Sequence, residues 1–145
     1  MIMGRFSIKL KNRAGDLQKI EQVLEKLGQR LGLTQKCKCE TNLAMEELIS
    51  NIIRYGYADQ GEHSVKVTIS HQTPTLTIRI EDDGAPFNPV EVKNPDLSGP
   101  AEKRRIGGLG VHLAKCFTDS IEYRRKGSKN IVILKKNIIK GCNQP

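Results

Sequence analysis

Three short segments carry the residues best suited to chemistry. In EELISNIIRYGY, residues 46–57, a carboxylate and a carboxamide, Glu47 and Asn51, stand four residues apart in a mostly apolar run. On a helix that spacing puts them one turn apart on one face, about 6 Å along the axis. So placed, the pair can hold a hydrated divalent cation and accept a proton beside it. Glu46 points roughly 100° away and is the weaker choice. Arg54, three residues beyond Asn51, adds a positive charge to the same face. Taken alone, the pair also reads as a solvated Glu and a helix-surface Asn, and Arg54 as a surface charge.

In EDDGAPFNP, residues 81–89, acids stand where an alternating strand pattern ends. Such acids can accept a hydrogen bond from a base amine or bind metal, and Gly84 allows a planar ligand close to the backbone. Asp-Gly and Pro are also ordinary turn punctuation. A turn does not account for three consecutive acids, Glu81, Asp82 and Asp83, in a basic protein. In RRIGGLGVHLAKCF, residues 104–117, Gly107, Gly108 and Gly110 open a helical pattern. Backbone N–H groups there can cradle phosphate with help from the helix dipole. Lys103, Arg104 and Arg105 just before them strengthen the anion-binding reading. The segment is neither a Walker A loop nor a strand-borne G-x-G-x-x-G.

The elements that must position these groups follow from periodicity. Phe6, Ile8 and Leu10 alternate as a short strand. Asn12 to Gly15 reads as a turn, with Asp16 as helix N-cap. Ile20, Val23, Leu24, Leu27 and Leu31 then keep helical spacing up to Gly32. A second helix is expected from Gln35 to Tyr55. Two alternating runs around HQTPT form a hairpin, and a Gly-, Pro- and Asp-rich loop extends from Asp82 to Gly107. A short helix, Leu109 to Phe117, precedes two strands, Ser120 to Arg125 and Asn130 to Lys136. The order β-α-α-β-β-loop-α-β-β predicts an α+β fold, a two-layer sandwich with a mixed, mainly antiparallel sheet and helices on one face. A loop of about 25 residues inside a compact domain is usually a lid or binding loop.

The chain has 145 residues, 37% hydrophobic and 28% charged, which sets the expectation of a single domain, residues 1–145. No apolar run approaches the ~20 residues that span a bilayer. The N-terminus lacks a secretory pattern, so a cytoplasmic protein is expected. The four cysteines match no zinc spacing, which favours reduced thiols, with Cys116 as a core residue. The net charge of +8 permits nucleic-acid binding. With 3 Tyr, 3 Phe, no Trp and no DNA-reading motif, the charge reads instead as a solvated surface or a docking face for an acidic partner.

Taken in order, the acid-plus-Asn helix, the Asp-x-Gly strand end, the lid and the Gly-x-Gly helix start resemble the ATP-binding domain of the GHKL superfamily. EELISNIIRYGY matches its N box, Asp82-Asp83-Gly84 its first glycine box and Gly108-Leu109-Gly110 its second. Within the superfamily, NIIRYGY, DGAPFNP and GGLGVHL are similar to the stand-alone anti-sigma factor serine/threonine kinases, over roughly Phe6 to Lys136. The absence of a phosphoacceptor-His helix, and a short lid, Asn94 to Ile106, without a separate F box, point away from sensor histidine kinases.

The resemblance implies a GHKL-type sandwich that binds ATP and Mg²⁺. It gives Asn51 the Mg²⁺ bridging the phosphates and Glu47 the role of general base. Asp82 receives the adenine amino group, Gly84 keeps the base pocket open, and Gly108 and Gly110 let the lid and helix start close on the phosphates. Arg54 and Arg105 become phosphate and lid contacts. The function implied is an anti-sigma regulatory factor in a partner-switching circuit, phosphorylating a STAS-type antagonist and sequestering a sigma factor when free of it. A non-catalytic ATP-binding interaction module is the alternative. No direct nucleic acid or membrane partner is expected, and a homodimer is left open.

Overall fold

The computed structural model describes residues 4–59, 61–93 and 108–139. Strand β1 is Gly4–Lys11, followed by helices α1, Gln18–Leu31, and α2, Gln35–Tyr55. The hairpin β2, Ser64–Gln72, and β3, Thr75–Asp82, leads to a 3-10 turn at Pro89–Glu91. Helix α3, Gly108–Phe117, and the hairpin β4, Ser120–Lys126, with β5, Lys129–Asn137, complete the described chain. The predicted lid, residues 94–106, and Arg105 within it lie outside the described residues.

Period-two alternation and antiparallel register together build the core. The five strands run in the order β1-β2-β3-β5-β4, and every pair is antiparallel. The sheet is therefore wholly antiparallel rather than mixed, because each hairpin pairs its own strands and β5 returns beside β3. Directly opposite residues share a face, so Ile8, Val67, Ile80, Val132 and Tyr123 form one cross-sheet row. Phe6, Ile69, Ile78, Leu134 and Ile121 form the next. The helices cover this face. Ile20, Leu24 and Leu27 of α1, Met45, Leu48 and Ile49 of α2, and Val111 and Ala114 of α3 join the sheet residues in one buried cluster. The α+β two-layer sandwich is thus as expected.

Local signals place the helix ends. Thr34 caps α2, its hydroxyl accepting from the Cys37 N–H at 3.1 Å, and Gly32 closes α1 with φ of 68°, a left-handed conformation that favours glycine. Asp16 does not cap α1. Residues Ala14–Leu17 form a 3-10 turn, and the Asp16 carboxylate instead accepts from the Lys11 N–H at 2.8 Å, Arg13 Nε at 2.9 Å and Lys19 Nζ at 3.1 Å. It thereby ties the end of β1 to the start of α1. Two cysteine expectations are corrected: Cys37 is disulfide-bonded, and Cys116 lies on the exposed side of α3.

The Asp16 ties have a pH signature. The Lys11 N–H first, then Arg13 and Lys19, hold its carboxyl well below the usual range. A depressed folded-state pKa adds stability above the unfolded value and loses it as pH falls toward the folded one. Asp16→Asn is expected to melt below wild type at pH 7, with the gap closing as pH drops below the ordinary 3.8. A gap in melting temperature that stays constant through that window would contradict the assignment.

Candidate functional site

The end of β3 carries a buried carboxylate. Register places Asp82 opposite Asn130 of β5, and Asn130 opposite Arg125 of β4, a polar row closing an otherwise apolar face. Asp82 is 4% exposed. Its Oδ1 accepts from the Gly84 N–H at 2.9 Å and from Asn130 Nδ2 at 2.9 Å. Among the described residues no hydrogen bond reaches Oδ2, which leaves one oxygen of a desolvated carboxylate for an incoming donor. Burial pushes the Asp82 carboxyl up, opposed by Asn130 and the Gly84 N–H, so it protonates at higher pH than a free Asp.

The loop beyond Asp82 is fixed by its neighbours. Asn130 Nδ2 also donates to the Ala85 carbonyl at 2.9 Å, and the Tyr123 hydroxyl donates to Asn130 Oδ1 at 2.6 Å. Arg125 Nη1 donates to the Gly84 carbonyl at 2.9 Å. The Ala85 N–H donates to the Gly56 carbonyl at 2.7 Å, joining this loop to the C-terminal end of α2. The approach is so close that a Cβ on Gly84 would lie 2.7 Å from the Gly56 oxygen.

Helix α2 supplies the other groups. Asn51 is 9% exposed, and its carboxamide has no hydrogen-bond partner among the described residues. Glu47 is half-buried one turn earlier, where α2 packs on α3. A Cβ on Gly110 would run into the Glu47 carboxylate, so glycine at the third residue of α3 leaves that acid its room. Gly108 is the first residue of α3. Arg54 is exposed in the last turn of α2. One helix thus carries Glu47 and Asn51 and touches the Asp82 loop at Gly56, roughly 13 Å beyond Glu47 and about 8 Å beyond Asn51 along its axis.

Sequence reasoning passed over the residues that hold Asp82. Asn130 and Tyr123 share a face with Val132 and Ile121 in alternating strands, and a polar group in an apolar alternation was the available signal. It also passed over the stacked Tyr57 and His63 rings, 4.1 Å apart. His63 Nε2 lies 2.7 Å from Asp59 Oδ1, and its Nδ1 3.5 Å from Asp83 Oδ1. These carboxylates, Asp59 first, raise the His63 pKa. No period-two or helical pattern brings residues 57, 63 and 83 together; only the fold does.

One α+β two-layer domain thus carries a buried acid at a strand end and a helix with Glu47 and Asn51 packed on a glycine-opened helix. The chain belongs to the histidine kinase-like ATPase domain family, whose model matches residues 10–136, and ATP is the nucleotide that family handles. It is 22% identical over 111 residues to the serine/threonine-protein kinase BtrW of Bordetella bronchiseptica, covering 77% of this chain and 78% of that protein. It is 25% identical over 118 residues to the serine-protein kinase RsbW of Listeria monocytogenes, covering 77% and 74%. An anti-sigma F factor of Clostridium novyi is 26% identical over 99 residues, covering 67% and 69%. Among solved structures, the RsbU and RsbW domains of Rv1364c from Mycobacterium tuberculosis match with TM-score 0.66 at 12% identity, over 94% of this chain. The chain spans 32% of that longer one. The histidine kinase domain of a blue-light activated histidine kinase from Erythrobacter litoralis matches with TM-score 0.55 at 14% identity, over 88% of this chain and 61% of that one. These likenesses carry the fold. No helix among the described residues is long and apolar enough to cross a membrane.

Two substitutions test the geometry without any ligand. Gly84→Ala drives a Cβ against backbone, and overpacking of this kind costs about 1–3 kcal/mol. Asn130→Ala strips a donor from Asp82 and orphans the Tyr123 hydroxyl, a loss of about 1–3 kcal/mol. Both are expected to lower the urea midpoint with an unchanged m-value. Midpoints equal to wild type would show the loop is not held as described.

Proposed function

We propose that the chain is an ATP-dependent serine/threonine protein kinase acting as an anti-sigma regulatory factor, with residues 1–145 as one GHKL-type domain. The observation that carries this is the pairing of two polar groups that have no hydrogen-bond partner among the described residues, Asp82 Oδ2 at the end of β3 and the Asn51 carboxamide on α2. In this reading Asp82 takes the adenine amino group, and Gly84, whose missing Cβ admits the Gly56 backbone, shapes that end of the base pocket. Gly108 and Gly110 offer N–H groups to the phosphates at the start of α3, and Arg54 and Arg105 add positive charge around them. The Asn51 carboxamide oxygen, hard and without a partner, fits a ligand for Mg²⁺, which suits a cation held otherwise by phosphates and water. When bound, Mg²⁺ neutralises charge on the transferring phosphoryl group.

Glu47 accepts the proton of a substrate serine hydroxyl as that oxygen attacks the γ-phosphorus. The bond to the β–γ bridging oxygen breaks, and ADP leaves with that electron pair. Phosphoryl transfer is chiefly positioning and charge neutralisation, so the role of α2 is to keep the acceptor's base one turn from the Asn51 end. The substrate proposed is a STAS-type anti-sigma factor antagonist, with a sigma factor as the second partner. The names of the relatives, serine-protein kinase and anti-sigma F factor, support that reading. A non-catalytic ATP-binding module that regulates a protein partner is the alternative, and Glu47 is what separates the two.

Calorimetric titration with Mg-ATP is expected to give saturable binding to wild type and none to Asn51→Ala. Failure of wild type to bind would remove the kinase reading and leave a module acting through protein contacts. Glu47→Gln is expected to keep ATP affinity and lower transfer to an antagonist serine by roughly a hundredfold or more; equal loss of both would assign Glu47 to binding. Because burial raises the Asp82 pKa, ATP affinity is expected to fall as pH is lowered, beginning above the ordinary 3.8. Asp82→Asn should abolish that dependence.

A further inference from the structure

The sheet's second face, opposite the helices, is net positively charged. The register fixes which residues share it. Lys9, Lys66, Glu81, Ile131 and Arg124 form one row, and Arg5, Ser70, Thr77, Lys135 and Ser120 another. Between them run Ser7, Thr68, Arg79, Ile133 and Glu122. Arg5, Lys9, Lys66, Arg124 and Lys135 are exposed and form no ion pair among the described residues, whereas Arg79 is paired with Glu81 at 3.0 Å. The unpaired cations occupy the outer rows. The central strand holds the Arg79–Glu81 pair, flanked by Thr68, Thr77, Ile131 and Ile133, of which Thr68 and Ile131 are buried.

We propose that this open sheet face is a docking surface for an acidic protein segment, independent of the nucleotide site. The Arg79–Glu81 pair neutralises itself at the centre, which leaves the unpaired outer cations to set the field of the face, and complementary charge steers encounter with an acidic partner. A nucleic acid fits less well. Among the described residues the face carries no aromatic ring for bases to stack on. A membrane surface would need apolar groups standing above the cations, and Ile131 is 5% exposed. A second copy of the chain would set like charges against each other. Four strand spacings by eight residues give a face of roughly 19 by 26 Å, below the ~800 Å² per partner of a standard interface. The docking is therefore transient and salt-sensitive.

The test uses a synthetic 20-residue Glu-rich helical peptide with a central leucine, followed by fluorescence anisotropy against the full chain. Saturable binding that weakens at least tenfold between 50 and 300 mM salt is expected. Lys66→Glu with Lys135→Glu should weaken binding at least tenfold, while the charge-matched control, Lys26→Glu with Lys36→Glu on the helical layer, should change it less than twofold. Melting curves confirm that each variant is folded, and a single reversal at Lys66 replaces the pair if the pair is not. Absent peptide binding, or equal loss in both variant pairs, overturns the proposal. Tighter, face-dependent binding of a 20-base-pair DNA duplex or of phosphatidylserine vesicles would overturn it in favour of those partners. Loss of ATP binding bears only on the nucleotide reading, since none of these lysines lies in that site.

Discussion

Taking the Asp82 carboxylate out of water costs several kcal/mol unless protein donors replace the lost hydration. Much of the architecture around the site is the set of constraints that replacement imposes. The Asn130 amide must face Oδ1, which requires β3 and β5 to pair in the one register that sets residues 82 and 130 opposite each other. Asn130 itself is oriented by the Tyr123 hydroxyl, which brings β4 into the same condition. The Gly84 N–H must turn back onto the carboxylate, and that turn is possible only where Gly56 and Gly84 let two backbones meet. A register slip of one residue would turn every apolar side chain of these strands outward. The hydrophobic core and the polar row therefore enforce each other.

Helix α2 converts that anchored loop into a two-ended site. Its buried residues, from Cys37 to Ile49, bind it to the sheet and to α3. Its position is thus set by packing and not by any ligand. The Glu47 and Asn51 side chains inherit that rigidity, while the helix end at Gly56 fixes the distance to Asp82. The acid and amide ask little of the surrounding structure except room. Gly110 provides it on the side of α3, where any larger residue would meet the Glu47 carboxylate.

The two faces of the sheet have opposite duties. One is apolar and closed over by the helices, with its polar residues confined to the terminal rows. The other carries cations unpaired among the described residues, with Lys9 and Lys66 directly opposite each other and Arg5, Lys135 and Arg124 opposite serine, threonine or isoleucine. Lysine and arginine on the edge strands β1 and β4 also discourage unwanted strand addition, so part of this charge has a protective role whatever docks there.

Much of the fold was legible in the chain because it rests on local rules. Helical spacing in residues 35–55 and alternation in β2, β3 and β5 are properties of single segments, and they placed the elements to within a few residues. The ordered motifs around Glu47, Asn51, Asp82, Gly84, Gly108 and Gly110 were equally legible, because a helix turn or a glycine-opened helix end is also local. Asp16 misled for the same reason: cap chemistry in sequence cannot tell a helix cap from a carboxylate that bonds back to the preceding strand. Cys116 misled because a helix of 10 residues leaves its outward side ambiguous.

What the sequence determined by itself was therefore the list of elements, the core-facing sides of most of them and the groups able to do chemistry. Tertiary structure alone decided that Asn130, Tyr123 and Arg125 would surround Asp82, and that Gly56 would touch its loop. It also decided that Tyr57 and His63 would stack beside Asp83, and that the cations would gather on one face. Each of these depends on which strand lies beside which and in what register. Strand order is fixed by burial summed over the whole sheet, a quantity that no single segment carries.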